Sequence, residues 1–187
     1  MKQFAELAKA FSILFSYPTE NSQPALAQVY ELLPRTEREH LIPFTNYCER
    51  ASLSEVEELF TQTFDMNPAT CLEIGWHLFC EDYQRGQFLV YMRQSLADYK
   101  IKESIELPDH FSHCLQLIAL LDYDDTKTFA ETYLIKPLHK IIDQLPEHNP
   151  YCSLMTVMVS LLKEQFKISE LNTKTPEGTG VFKKNQV

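Results

Sequence analysis

The chain has 187 residues, 44% of them hydrophobic and 23% charged, with 17 Lys and Arg against 26 Asp and Glu. A net charge of −9 argues against a nucleic-acid binder, which needs a basic stripe to displace counterions. The length suits one domain with a sizeable core, and five irregularly spaced cysteines (Cys48, Cys71, Cys80, Cys114, Cys152) fit reduced thiols in a cytoplasmic protein better than a disulfide framework.

Nearly every segment carries a helical period, and no run shows the sustained alternation of a strand. Phe4, Leu7, Ala8, Phe11, Leu14 and Phe15 form one apolar stripe ending before Pro18. Glu6 and Lys9 interrupt its apolar run, so this start reads as an amphipathic helix rather than a secretory signal. Ser22 is expected to cap a short second helix that Pro34 stops. Thr36 with Glu39 suggests a capping box for a third, interrupted at Pro43, and Ser54 with Glu57 repeats the signature. In the helix that follows, Val56, Leu59, Phe60 and Phe64 share a face. Asp65-Met66-Asn67-Pro68 reads as a turn, because Asn before Pro disfavours helix. A helix is expected from about Thr70 to Phe79, then a break at Glu81 and Asp82, then a longer helix to about Tyr99.

Pro108 is placed in the first turn of a helix carrying Phe111, Leu115, Ile118 and Leu121. Asp124 or Asp125 opens a long helix kinked at Pro137. Asn149 and Pro150 open the last helix, whose charge-free stretch from Tyr151 to Leu162 is too short to cross a bilayer. The fold class is therefore all-α: a single globular domain of about eight to ten helices over residues 1–170, followed by a flexible tail, 171–187, that loses periodicity.

One window stands apart. Between Ala51 and Gln84 there is no Lys or Arg, while Glu55, Glu57, Glu58, Asp65, Glu73, Glu81 and Asp82 contribute −7 of the net −9. The only tryptophan, Trp76, lies there among Phe60, Phe64, Phe79 and Tyr83. Such an acidic, aromatic stretch suits a basic, partly apolar partner, or else an ordinary solvated helix face. Catalytic signatures are missing: four glycines build no phosphate loop, and there is no Cys-x-x-Cys pair or Gly-x-Ser-x-Gly elbow. A competing reading gathers His77, Cys80, His110, His113 and Cys114 from two helices into a metal-binding or redox-sensing site.

The central stretch resembles the NarJ/TorD/DmsD family of chaperones for molybdenum oxidoreductases, closest to its nitrate reductase (NarJ) branch. The matching pieces are Thr63-Phe64-Asp65 with Asn67, then Trp76-His77-Leu78-Phe79 with Glu81-Asp82, then Arg85-Gly86, and finally Glu106-Leu107-Pro108-Asp109-His110, which looks like the family's E-x-P-D-H motif. Two positions depart from the pattern. Val56 replaces an aromatic in the TorD-type aromatic-x-x-Leu-Phe motif, and Cys80 stands where Gly usually precedes Glu-Asp.

The resemblance implies a non-enzymatic, cytoplasmic, system-specific chaperone without a cofactor of its own, monomeric or a domain-swapped dimer. It would bind the N-terminal leader of a molybdoenzyme catalytic subunit, a twin-arginine signal or its remnant. It would hold that subunit until molybdenum cofactor is inserted, before export or membrane docking, with cofactor-biosynthesis proteins as further partners. Nucleic acid and membrane insertion have no part in this reading. In the implied peptide site Leu59, Phe60, Trp76 and Phe79 line or support a groove, with plain core packing the alternative for Leu59, Trp76 and Phe79. Asp65, Glu81, Asp82 and Asp109 meet arginines, with helix capping or solvated charge the alternative, above all for Asp109. Asn67 shapes the turn, and His77 and His110 hydrogen-bond the peptide or an acid, with a buried structural role the favoured alternative for His77. Arg85 pairs with one of these acids inside the chain, and Glu106 and Pro108 complete the motif.

Overall fold

A computed structural model describes residues 1–169; the expected tail, 171–187, lies outside the described residues. The described chain is helical: α1 (Lys2–Leu14), α2 (Ser22–Leu32), α3 (Arg35–Arg50), α4 (Leu53–Phe60), α5 (Ile74–Phe79), α6 (Tyr83–Asp98), α7 (Phe111–Ile118), α8 (Tyr123–Phe129), α9 (Ile135–Gln144) and α10 (Pro150–Phe166). Single π-helical turns extend α4 (Thr61–Asp65) and join α8 to α9 (Ala130–Leu134). Counting α8 and α9 as one rod, nine rods result among the described residues, and the expected all-α architecture stands.

The core is built on α1, α7 and α10. Helix α1 lies between α2 and α7, and α10 packs along α3 and α9. Phe15 of α1 meets Phe111 of α7 with ring centroids 4.9 Å apart, and Phe4 meets Phe166 of α10 at the same separation. At the other end of α10, Tyr151 gathers Phe44, Phe60 and Phe64. Burying each such side chain contributes roughly 1.5–3 kcal/mol, so these aromatic contacts anchor the rods more firmly than any local signal does.

Several helix ends differ from the sequence expectation. Ser22 is the first residue of α2, and its hydroxyl accepts from the Thr19 N–H (3.0 Å) instead of capping the helix. Helix α3 starts at Arg35, so Thr36 already lies inside it, and it continues through Pro43. Leu41, Phe44 and Cys48 are buried on both sides of that proline, which offsets its local cost of about 3 kcal/mol. The capping box of α4 is Ser52 with Glu55, two residues before the expected pair. Thr70 to Glu73 are not helical: the Thr70 hydroxyl donates to the Thr63 carbonyl, and α5 starts only at Ile74. Pro108 lies outside α7, which begins at Phe111 behind His110, and Leu121 lies beyond its end. Asp122, not Asp124 or Asp125, caps α8. The irregularity expected at Pro137 is the π turn just before it, since a proline ring crowds the carbonyl four residues back, here Tyr133. Asn149 and Pro150 open α10 as expected.

Candidate functional site

Two motif segments far apart in the chain are stitched together at the N-terminus of α5. The Phe111 N–H donates to the Leu72 carbonyl (2.8 Å) and the Ile74 N–H to the Asp109 carbonyl (3.1 Å), forming an isolated antiparallel bridge between Glu73 and His110. Helix α5 has no side-chain cap of its own. Asp109 supplies one from across the seam, its Oδ2 accepting the Gly75 N–H at 2.8 Å. A Cβ on Gly75 would come within 2.6 Å of that oxygen and 3.0 Å of Phe88, so only glycine fits. Asp109 is 0% exposed, and burial pushes its carboxyl above the usual range, opposed by the Gly75 hydrogen bond and then by Arg85. It is therefore an internal strut rather than a surface receptor for arginine.

His110 caps α7: its Nδ1 accepts from the Ser112 N–H (3.2 Å) and hydroxyl (2.7 Å). Burial, then the nearby His113, lowers its pKa to about 3, so the ring is neutral as this geometry requires. His77 Nε2 lies 2.8 Å from the Cys71 carbonyl, and Lys140 of α9 donates to the His77 carbonyl at 2.5 Å. The competing grouping of His77, Cys80, His110, His113 and Cys114 into a metal site is not assembled among the described residues. Among the described residues no three His, Cys, Asp or Glu side chains are grouped to hold an ion. The rings of His110 and His113 are 6.2 Å apart, and His113 is engaged by the Leu107 carbonyl and by Ser104. Cys80 is exposed, while the buried Cys114 thiol donates to the Asp109 carbonyl.

The acids outside the seam form a different picture. Burial pushes the Glu106 carboxyl up, followed by the charges of Glu73 and Asp65. Asp65 is raised too, by burial and by Glu73, with a Thr61 hydrogen bond opposing. These three carboxylates thus share one field around the bridge, and none of them joins an ion pair among the described residues. Around them stand apolar side chains open to solvent: Met66, 74% exposed, Ile105, 99% exposed, and Leu107. Trp76 is half-buried beside this seam, with the Arg85 guanidinium carbon 5.4 Å from its ring centroid. Arg85 thus lies over an indole, with no ion pair to an acid among the described residues.

The remaining sequence candidates are dispersed. Phe60 is core, enclosed by Tyr17, Phe64 and Tyr151. Leu59 and Phe79 are half-buried against the core, Phe79 with its ring 5.7 Å from Phe88. Asn67 shapes its turn as expected, its side chain accepting from the Ala69 N–H. Asp82 caps α6 through the Gln84 N–H, Glu81 is exposed beside it, and Pro108 is buried. Glu73, Met66, Ile105 and Leu107 were not singled out by the sequence. Only the base-free window marked Glu73; Met66 and Leu107 appeared only as members of the turn and of the E-x-P-D-H motif, and nothing marked Ile105.

An all-helical protein whose singled-out histidines and Cys114 serve backbone and helix caps, beside a surface of acids and open apolar side chains, belongs to the class of binding proteins. Residues 30–156 match the family model of the nitrate reductase delta subunit. No curated protein matches the chain. The chain belongs to the nitrate reductase delta subunit family, the NarJ family already suggested by its motifs. Membership implies the role of a nitrate reductase assembly chaperone, which binds the catalytic subunit and is not an enzyme. Among the described residues no helix is long and apolar enough to cross a membrane.

Proposed function

We propose that this chaperone binds the N-terminal leader of the nitrate reductase catalytic subunit, or of a closely related molybdoenzyme, at the surface made by Asp65, Glu73 and Glu106. The supporting observation is the convergence of these three carboxylates from separate segments beside Met66, Ile105 and Leu107. Like charges repel when crowded, so the arrangement is tolerated rather than self-stabilising, and a cation placed among them relieves it. A leader that is basic at one end and apolar along its length supplies both the cation and the apolar contact. Exposed ion pairs yield only ~0–1 kcal/mol each, so the acids steer and orient while apolar burial contributes most of the affinity. Held this way in the cytoplasm, the catalytic subunit stays accessible for cofactor insertion and is kept from premature docking.

The test is calorimetric titration of the chain with the N-terminal peptide of the catalytic subunit from the same genome, against the same peptide with its basic residues changed to Gln. Saturable 1:1 binding is expected, weaker for the Gln peptide and weaker in Asp65→Asn, Glu73→Gln and Glu106→Gln proteins. Equal affinity for both peptides would remove the acidic surface from the reading.

A further inference from the structure

An apolar pocket that the acidic surface does not use opens elsewhere on the molecule. It has a volume of about 160 Å³ and lies where the end of α1 meets α2, α3, α4 and the start of α10. Its walls are apolar, from Leu14, Leu26, Phe44, Val56 and Tyr151, and Leu53 and Glu20 stand exposed at its mouth. The pocket opens to solvent at that mouth and has room for a single leucine- or phenylalanine-sized side chain.

Helix α4 connects that cavity to the acidic surface. Leu53, at the mouth, Glu57 and Thr61 follow one another at helical i, i+4 spacing. The π turn carries the same face on to Asp65, to which the Thr61 side chain hydrogen-bonds. From Leu53 to Asp65 the rise is about 18 Å, the length of about twelve helical residues. Glu57 and Glu58 keep the intervening helix acidic, and no Lys or Arg occurs anywhere from Ala51 to Gln84. A track that is acidic along its length and ends in an apolar socket has the complementary charge and shape for one kind of occupant. That occupant is a helical segment with a cationic end and an apolar side chain some three turns away.

Resting on the proposed leader-binding function, we infer that the cavity is the apolar anchor of the same leader, attached at two points. The basic end sits over Asp65, Glu73 and Glu106, and one Leu, Phe or Met side chain fills the socket between α1, α4 and α10. The spacing between the two points makes the chaperone a length gauge, rejecting basic segments that lack the distal apolar residue.

The experiment scans the leader peptide, replacing each apolar residue in turn by Ser, and titrates each peptide calorimetrically into the full chain. Titrations into Val56→Trp and Ala51→Leu proteins, which fill the socket from its wall and its rim, run in parallel. Ala51 is half-buried at the end of α3 and its backbone is extended, so that variant folds even where the tryptophan is too large. One position about twelve residues from the basic end is expected to cost about tenfold in affinity in the wild type and nothing further in the filled proteins. Unchanged affinity of the intact peptide for both filled proteins, with circular dichroism confirming their fold, overturns the inference while leaving leader binding standing. Failure of the intact peptide to bind the wild type overturns both. A dimer that the Ala51→Leu protein loses, or a rise in peptide affinity on removing residues 170–187, would give the socket to a second copy or to the chain's own end and overturn it too.

Discussion

Cys80 sits at φ 52 and ψ −130, in the turn between α5 and α6 where the Asp82 N–H donates to the Phe79 carbonyl at 3.0 Å. This is the first central position of a II′-type turn, which glycine occupies without strain and a side chain does not. The family pattern has glycine there, and the geometry supplies the reason. Cys80→Gly is expected to raise stability by about 1 kcal/mol, read as a higher urea midpoint with an unchanged slope. Gly75→Ala should do the opposite, costing about 1–3 kcal/mol, because the new methyl would displace Asp109 from the head of α5. His110 contributes the pH dependence. Its folded pKa is depressed to about 3, so its stabilising effect is complete above the unfolded value near 6.5 and is lost as pH falls toward 3. That adds a slope of about 1.4 kcal/mol per pH unit across the interval, which His110→Asn should flatten while keeping a capping acceptor. Asp109 acts with the opposite sign. Its raised pKa adds stability below the unfolded carboxyl value, and that contribution is lost as pH rises through the folded one. Urea melts of both proteins across this range check the sign.

At the scale of elements, local chemistry located the helices but not always their ends. Both Ser52-x-x-Glu55 and Ser54-x-x-Glu57 are present, and the sequence offers no local reason to prefer one. The structure chooses the first, with the Glu55 carboxylate accepting the Ser52 N–H at 2.8 Å. Ser52→Ala should therefore cost about 1 kcal/mol and Ser54→Ala no more than about 0.5, a difference that thermal unfolding resolves. Pro43 and Pro137 carry the same local signal and receive different treatment. One is absorbed into a continuous α3, while the other follows a π turn that relieves its clash. Buried neighbours decide this, and those neighbours come from distant parts of the chain. The stripe and caps of α10, by contrast, were legible because Asn149, Pro150 and its apolar period act within one helix.

For the molecule as a whole, the base-free window is the dominant electrostatic feature, and it directs the association rate more than the final affinity. Binding of a basic leader should slow steeply with added salt, and its dissociation rate should change less, as stopped-flow mixing would show. The raised carboxyls of Asp65 and Glu106 add a pH signature. As pH falls these two acids protonate before ordinary carboxylates, so affinity for a basic peptide should begin to drop above the usual range near 4.

The sequence by itself determined the all-helical class, the acidic window and the family, because periodicity, composition and short motifs are properties of neighbouring residues. The tertiary structure alone decided what those motifs do. Asp109 and Gly75 are 34 positions apart, and only packing makes one the cap of the other's helix. It also made Phe60 core, placed Arg85 over Trp76, and brought Glu73 to Asp65 and Glu106. Each of these depends on burial and on distance through space, which no pattern along the chain records.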